Sequence, residues 1–198
     1  MVWAILDADQ NAALKELIRT QNSDRIVAVV GGAMIDNSLR HALESRFRPK
    51  SGKTDMNEKL FRPGGALGNL QPKIDLAYQL YMLDKLVRNT LHGIAEIRNL
   101  FAHHLTMRFS SDDSNMKKAL TKLALHVGRT HYPSALWDGD TEHLLEPIHQ
   151  TRDLFFVNLK LALIWLMADS HKHEPWSNMP TRIRPGPPER MPVSVPPP

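Results

Sequence analysis

The residues with the clearest chemical potential stand together in the run Arg98-Asn99-Leu100-Phe101-Ala102-His103-His104. An arginine and a histidine near one helix end can cleave RNA without a metal ion. The imidazole acts as general base or acid on the 2′-hydroxyl or the leaving oxygen, while the guanidinium stabilises the charge of the phosphorane. In this interpretation Arg98, Asn99 and His103 carry the chemistry, and His104 is a spare imidazole beside them.

Helical geometry favours a second interpretation of the same run. At about 100° per residue, Arg98 and His103 lie roughly 140° apart around a helix, whereas Asn99 and His103 share a face. Catalysis would need a bend in the helix or a histidine from another subunit. In the structural alternative, Arg98 is a half-buried arginine paired with a carboxylate such as Glu44 or Asp75. The histidines are then cations favoured by the C-terminal end of the helix dipole.

A second group of polar residues lies on an earlier helix. Asp36, Arg40 and Glu44 recur at i, i+4 and i+8, so they can form ion pairs within one helical face. Such a face is either solvated or forms a polar groove against Arg98. We treat these three residues and Asp75 as candidate binding residues.

The third candidate is the glycine-rich segment Gly64-Gly65-Ala66-Leu67-Gly68-Asn69. Glycines before a helix can expose backbone N–H groups to an anion, which makes Gly65 and Gly68 candidate binding residues. No Lys-Ser/Thr pair follows Gly68, so the segment is not a Walker loop. We favour a turn that leads to an N-cap at Asn69.

Hydrophobic periodicity and cap residues predict helices throughout the first 172 residues, with no strand-like alternation of useful length. The expected helices cover 9–20, 25–47, 56–61, 70–82, 85–104, 114–125 and 151–170. Asp9 and Asp84 are the expected N-caps of the first and fifth of these, and Asp112-Asp113-Ser114 is a start signal for the sixth. Only a tight connection fits between Leu83 and Lys85, so 70–82 and 85–104 should form an antiparallel hairpin. We predict an all-α, single-domain bundle of about six helices over 1–172. Nine of the last 26 residues are proline, which predicts a disordered tail over 173–198.

The second of these helices has a distinctive apolar pattern. Ser23 or Asp24 caps it, and its predicted core-facing stripe consists of Ile26, Val29, Val30, Ala33 and Met34, continued by Leu39 and Leu43. Glycine inside a helix costs about 1 kcal/mol relative to alanine. We therefore expect the backbone of another helix to approach closely at Gly31-Gly32, or else a turn or kink there.

Composition narrows the classes of function. The absence of cysteine excludes disulfides, thiolate zinc sites and cysteine nucleophiles. No segment reaches the roughly 20 apolar residues of a membrane helix, and no signal peptide is recognisable, so we expect a cytoplasmic protein with no membrane contact. The net charge of +4 is interspersed rather than gathered on one face. The sequence indicates no metal site and no cofactor.

Three segments, in order and at suitable spacing, carry a resemblance to a known family. They are 61–70 (FRPGGALGNL), 73–78 (KIDLAY) and 97–103 (IRNLFAH). Over about 25–113 the chain resembles the mannitol-operon repressor family, whose members are all-helical regulators without a recognisable DNA-binding motif. The Arg98-Asn99…His103 pattern also resembles the motif of HEPN ribonucleases, small helical bundles that place two such motifs face to face across a dimer.

These resemblances imply two different functions. The first is a non-enzymatic transcriptional-regulator-like module that forms a homodimer and acts through a protein partner, without sequence-specific DNA binding. This choice agrees with the lack of a helix-turn-helix with a basic recognition helix. The alternative is a metal-independent HEPN-type endoribonuclease that uses Arg98 and His103 on RNA.

Overall fold

The computed structural model describes residues 12–13, 16–17, 23–47, 56–125 and 151–170. It confirms the predicted all-α fold, and within these ranges there is no strand. Six helices have defined bounds: α1 Asp24–Glu44, α2 Met56–Phe61, α3 Leu70–Gln79, α4 Lys85–His103, α5 Ser114–Leu120 and α6 Thr151–Ser170. The predicted cap at Asp9, the segment 126–150 and the proline-rich tail lie outside the described residues.

The helices share one hydrophobic core, with α1 and α4 at its centre. Helix α1 packs against α3, α4 and α6, and α4 packs in addition against α3 and α5. Arg25, near the start of α1, donates hydrogen bonds to the carbonyl oxygens of Phe101 and Ala102 at the end of α4. The two central helices therefore run antiparallel, and Arg25 satisfies carbonyls that have no partner within their own helix.

The predicted core stripe of α1 is wrong in its first half. Ile26 and Val30 are 46% and 38% exposed, and Ala33 is also exposed. The buried face consists instead of Val27, Ala28, Gly31, Gly32, Ile35, Ser38, Leu39, Ala42 and Leu43. Leu39 and Leu43 are buried as expected. The two glycines explain the rotation, because they let neighbouring side chains approach on their side of the helix.

The predicted approach of another helix backbone at Gly31-Gly32 is wrong, because side chains approach there instead, and α1 runs through both residues without a break. A Cβ on Gly31 would lie 2.8 Å from Leu159 Cδ2 and 3.1 Å from Phe155 Cε1 of α6. A Cβ on Gly32 would lie 2.8 Å from Arg98 Cγ of α4. The neighbours that fill this space are side chains, not the backbone of the other helices.

Helices α3 and α4 are adjacent, as predicted, but the connection is longer than expected. Helix α3 ends at Gln79 instead of continuing through Met82. The N–H groups of Tyr81 and Met82 donate back to the carbonyls of Tyr78 and Ala77, both at 3.0 Å, and Tyr81 adopts φ 57°. This is the hydrogen-bond pattern of a Schellman motif. Asp84 then caps α4 as predicted, since its Oδ1 accepts from the Val87 N–H at 2.8 Å.

For the other helices the predicted N-caps are confirmed, whereas two of the predicted C-terminal ends are too late. Ser23 and Asp113 accept hydrogen bonds from N–H groups in the first turns of α1 and α5. Helix α1 ends three residues before the predicted Phe47, and α5 ends at Leu120. Helix α6 has the predicted bounds, and almost every side chain described in its second turn and beyond is buried. Its Asn158 Oδ1 accepts from the Leu125 N–H at 2.8 Å, so the residues after α5 are held against α6.

Candidate functional site

Arg98 lies half-buried where α4 crosses α1. Its Cβ, Cγ and Cδ atoms occupy the space beside Gly32, within 3.0 Å of where a Cβ would stand on that glycine. The only hydrogen bond that its guanidinium makes among the described residues is a long one, from Nη1 to Asn99 Oδ1 at 3.5 Å. Gly32 therefore makes room for the Arg98 stem, while the charged end of this side chain has no strong partner.

The predicted ion pair between Arg98 and Glu44 or Asp75 is wrong. Glu44 instead accepts from Arg40 Nε at 2.8 Å on its own helix. Asp75 lies 2.7 Å from Arg88 Nη2 and 3.2 Å from His92 Nε2. Both carboxylates are therefore paired with other cations. Glu44 has Arg40 on its own helix, and Asp75 has Arg88 and His92 on the neighbouring helix α4. The described residues supply no ion pair to Arg98.

The two histidines of the proposed catalytic run do not meet Arg98 within one chain. Asn99 is half-buried beside it, whereas His103 and His104 are exposed at the end of α4. Helix α4 is continuous from Lys85 to His103, so Arg98 and His103 keep the roughly 140° separation that helical geometry gives them. Of the four residues, the structure therefore brings together Arg98 and Asn99 only.

Lys73 is a buried charged residue that was not among the candidates predicted from the sequence. It lies on the inner face of α3, its side chain is 3% exposed, and its Nζ donates to Asp36 Oδ1 at 2.7 Å. Asp36 was expected to pair within α1, so this bond to α3 is a correction. One feature of the sequence could have revealed it. This lysine stands beside Ile74, within the otherwise apolar stripe of α3 that faces the core.

An aromatic ring lies next to this ion pair. Phe61, the last residue of α2, is 4% exposed and has Lys73 Nζ at 5.9 Å and Arg40 Cζ at 5.2 Å from its ring centroid. Contacts at these distances are attractive because the ring face carries partial negative charge. Asp36, Arg40 and Lys73 thus form a polar junction between α1, α2 and α3, and Glu44 extends it by its bond to Arg40.

Asp75 forms a second, more exposed junction between α3 and α4. The hydrogen bond from Arg88 holds the pKa of the Asp75 carboxyl below its usual value of 3.8 against the opposing effect of burial, and His92 acts in the same direction as Arg88. Arg88 also lies over the Tyr78 ring, with Cζ at 4.8 Å from the centroid. These contacts hold α3 against α4, so Asp75 has a structural role in this chain.

The glycine segment forms the turn that the sequence favoured. The Gly65 N–H donates to the Arg62 carbonyl at 2.8 Å, and the Gly68 N–H donates to the Gly65 carbonyl at 3.0 Å. Asn69 occupies the N-cap position of α3 without a side-chain hydrogen bond. The N–H groups of Gly65 and Gly68 are thus engaged within the turn, which sets the position of α2 beneath the Lys73 junction.

The outward side of α1 carries an apolar surface that we call the outer stripe, formed by Ile26, Val29, Val30 and Ala33. At about 100° per residue these side chains fall within roughly 100° of the helix circumference. Val29 is half-buried and the other three are exposed. The stripe is apolar as predicted, but Ile26, Val30 and Ala33 were expected to face the core and are exposed.

Comparisons with protein-family models, curated proteins and solved structures found no match for the chain. In the ranges with defined positions, no group of three or more His, Asp or Glu side chains is arranged to hold a metal ion. Within the same ranges, no helix has both the length and the apolar character needed to span a bilayer. The geometry of the described residues is therefore the basis for assigning a function.

Proposed function

We propose that this chain is a non-enzymatic helical regulatory module, of the kind found in the mannitol-operon repressor family, that self-associates and binds another protein. The observation that carries the proposal is the outer stripe of α1. A helix of a globular protein normally turns one apolar face to the core and a polar face to water. Helix α1 has a buried face against three other helices and a second apolar face that remains exposed.

The outer stripe suits contact with a second copy of the chain. Ile26 begins the stripe, Val29 and Val30 lie at its middle, and Ala33 ends it. Two copies of α1 in antiparallel contact about this middle place Ile26 of one copy against the small Ala33 of the other and Val29 against Val30, so the same surface serves both partners. Such self-complementary contact is what a two-fold dimer interface requires. Burial of Ile26 and Val30 supplies the apolar driving force.

Replacement of Val30 by lysine tests this interface. We expect Val30→Lys to weaken self-association at least about tenfold, the factor that corresponds to 1.4 kcal/mol, because each dimer would bury two unpaired ammonium groups. The fold should be retained, since Val30 is already 38% exposed. Light scattering over a micromolar concentration series measures the association, and circular dichroism checks the fold.

Leu86→Lys is the matched control for this measurement. Leu86 is 41% exposed on α4 and undergoes the same change from an apolar to a charged side chain. We expect it to leave the association constant unchanged. A wild-type chain that stays monomeric, with no protein recovered in a pull-down, would contradict the proposal. Loss of association in Leu86→Lys alone would instead assign the interface to the turn between α3 and α4.

The second candidate function is a metal-independent endoribonuclease, and the observation that favours it is the guanidinium of Arg98. A half-buried arginine without an ion pair in the described residues is suited to stabilise a phosphorane. Since His103 lies elsewhere on α4, the catalytic pair would have to form between Arg98 of one chain and His103 of another. This candidate therefore also depends on dimerisation.

RNA cleavage in EDTA tests the second candidate directly. If the chain is a ribonuclease, the wild type cleaves a mixed RNA and leaves cyclic phosphate ends, whereas folded Arg98→Ala and His103→Ala variants do not. Under the regulatory proposal none of the three cleaves. A mixture of the two inactive variants is the informative control, because a site shared between chains regains part of its activity in the mixed dimer.

A further inference from the structure

Arg98 differs from the other half-buried arginines of the described helices. Arg40, Arg88 and Arg152 each lie within 4.0 Å of a carboxylate oxygen, and Arg25 binds the carbonyls at the end of α4. Arg98 has only the 3.5 Å contact with the amide oxygen of Asn99. A partly desolvated charge without a counter-charge is unfavourable. Arg98 should therefore bind an oxyanion from outside the chain more tightly than a fully solvated arginine would.

The backbone around Arg98 is adapted to this side chain. Gly32 leaves open the space that the Arg98 stem fills, and glycine at that position lowers the intrinsic stability of α1 relative to alanine. The stem is therefore held against α1, which restricts where the guanidinium can lie. Asn99 is adjacent, and because its amide oxygen accepts from Arg98, its amide nitrogen remains a donor to a shared ligand.

The geometry points to an oxyanion site formed by Arg98 and Asn99, which binds the carboxylate of an acidic side chain on the partner protein. This inference rests on the proposed regulatory function. A guanidinium offers two parallel N–H donors that match a carboxylate. Arg98 supplies a single positive charge, which balances a singly charged carboxylate but leaves one charge of a doubly charged phosphate unbalanced. The outer stripe is close by on α1, which suits a protein ligand with apolar residues beside its acidic group.

Acetate is the probe for this site, and the Arg98 Nε–Hε signal in a ¹H–¹⁵N NMR spectrum is the readout. Loss of the signal in Arg98→Met assigns it, and Arg108, an exposed arginine after α4, is the internal control. At constant ionic strength with chloride as the balancing anion, we expect saturable shifts at Arg98. The affinity there should exceed that at Arg108 at least about tenfold. A parallel titration uses inorganic phosphate.

Each outcome of the titrations decides the assignment. Saturable acetate binding at Arg98, tighter than phosphate binding, supports the carboxylate site. Tighter phosphate binding overturns the assignment of the ligand and favours RNA or a free phosphate. Equal, non-saturating shifts at Arg98 and Arg108 mean an adventitious ion only and overturn the site.

The melting temperature of Arg98→Met provides a second test that does not need a ligand. Methionine keeps a similar stem against Gly32 and removes the charge, so the free chain should melt at the same temperature or higher. A fall of more than about 4 °C would show that Arg98 stabilises the fold by an internal contact, and would overturn the inference. Light scattering of the same variant separates this result from the proposed function, because loss of the oxyanion site leaves self-association through the outer stripe intact.

Discussion

Gly65→Ala is expected to lower the free energy of unfolding by about 3 kcal/mol, although it adds a single methyl group at a partly exposed turn. A Cβ on Gly65 would lie 2.4 Å from the Leu60 carbonyl oxygen and 2.5 Å from that of Lys59. Both neighbours are backbone atoms of α2, so no side-chain rotation can relieve the overlap. The turn would have to open, and the hydrogen bond from the Leu67 N–H to the Leu60 carbonyl at 2.9 Å would weaken.

Gly64→Ala is the matched control, one residue earlier in the same turn. Gly64 has φ +80°, a conformation that favours glycine, but nothing lies within 4 Å of the position of its Cβ. The expected cost is therefore the backbone strain alone, about 1 kcal/mol. Urea denaturation of both variants measures the difference. If Gly64→Ala is the more damaging of the two, the close contact of Gly65 with α2 does not exist in solution.

The effect of Gly65→Ala should extend to the polar junction. Phe61 ends α2 directly before the turn, and its ring lies against both Lys73 and Arg40. Movement of α2 away from the turn would withdraw that ring and open the buried end of Lys73 to water. The amide signals of residues around Lys73 are therefore expected to lose protection from hydrogen exchange in Gly65→Ala and to keep it in Gly64→Ala.

The helices and their caps were predictable because they depend on neighbours in sequence. Ser23, Asp84 and Asp113 each accept a hydrogen bond from an N–H three residues ahead, a relation that the sequence contains in full. The bounds of α6 followed from a long apolar stretch. The end of α3 was missed, because it depends on Tyr81 adopting a left-handed conformation that glycine usually supplies.

The orientation of α1 was not predictable from hydrophobic periodicity. Hydrophobic periodicity ranks positions by how apolar their side chains are. It therefore turned Ile26 and Val30 to the core in preference to Gly31 and Gly32. In the structure the glycines are buried because they admit Phe155, Leu159 and the stem of Arg98. Packing selected the face with the closest fit rather than the face with the largest side chains, and the larger apolar residues remained available for a partner.

Most members of the candidate site were predictable from the sequence, but Lys73 and the partners in the ion pairs were not. The half-buried position of Arg98 followed from its place beside the apolar stripe of α4. The partners of Asp36 and Asp75 lie on other helices, so their identity depends on how α1, α3 and α4 are arranged in space. Local spacing favoured pairs within one helix, and it was right only for Arg40 and Glu44.

Asp36→Asn is expected to destabilise the fold more than Lys73→Met does, although the two changes remove opposite ends of one ion pair. Lys73 has a side chain that is 3% exposed, whereas Asp36 is 38% exposed. Loss of the carboxylate leaves an ammonium group away from water, which costs roughly 3–5 kcal/mol when the site is fully buried. Because asparagine still offers an oxygen to Nζ and the Phe61 ring is close, we expect about 2 kcal/mol for Asp36→Asn.

Lys73→Met leaves the opposite charge in a more favourable place. The Asp36 carboxylate, which is 38% exposed, can take hydrogen bonds from water, and methionine fills the space that the lysine stem occupied. Replacement of a buried charge by an apolar side chain of similar volume is often close to neutral, so we expect a change below about 1 kcal/mol. The double variant Asp36→Asn/Lys73→Met should then be more stable than Asp36→Asn alone, because it no longer contains an unpaired buried ammonium. Thermal denaturation of the four proteins forms a complete cycle. Equal losses in the two single variants, with additive loss in the double variant, would mean that water reaches Lys73 and that this junction is not a closed part of the core.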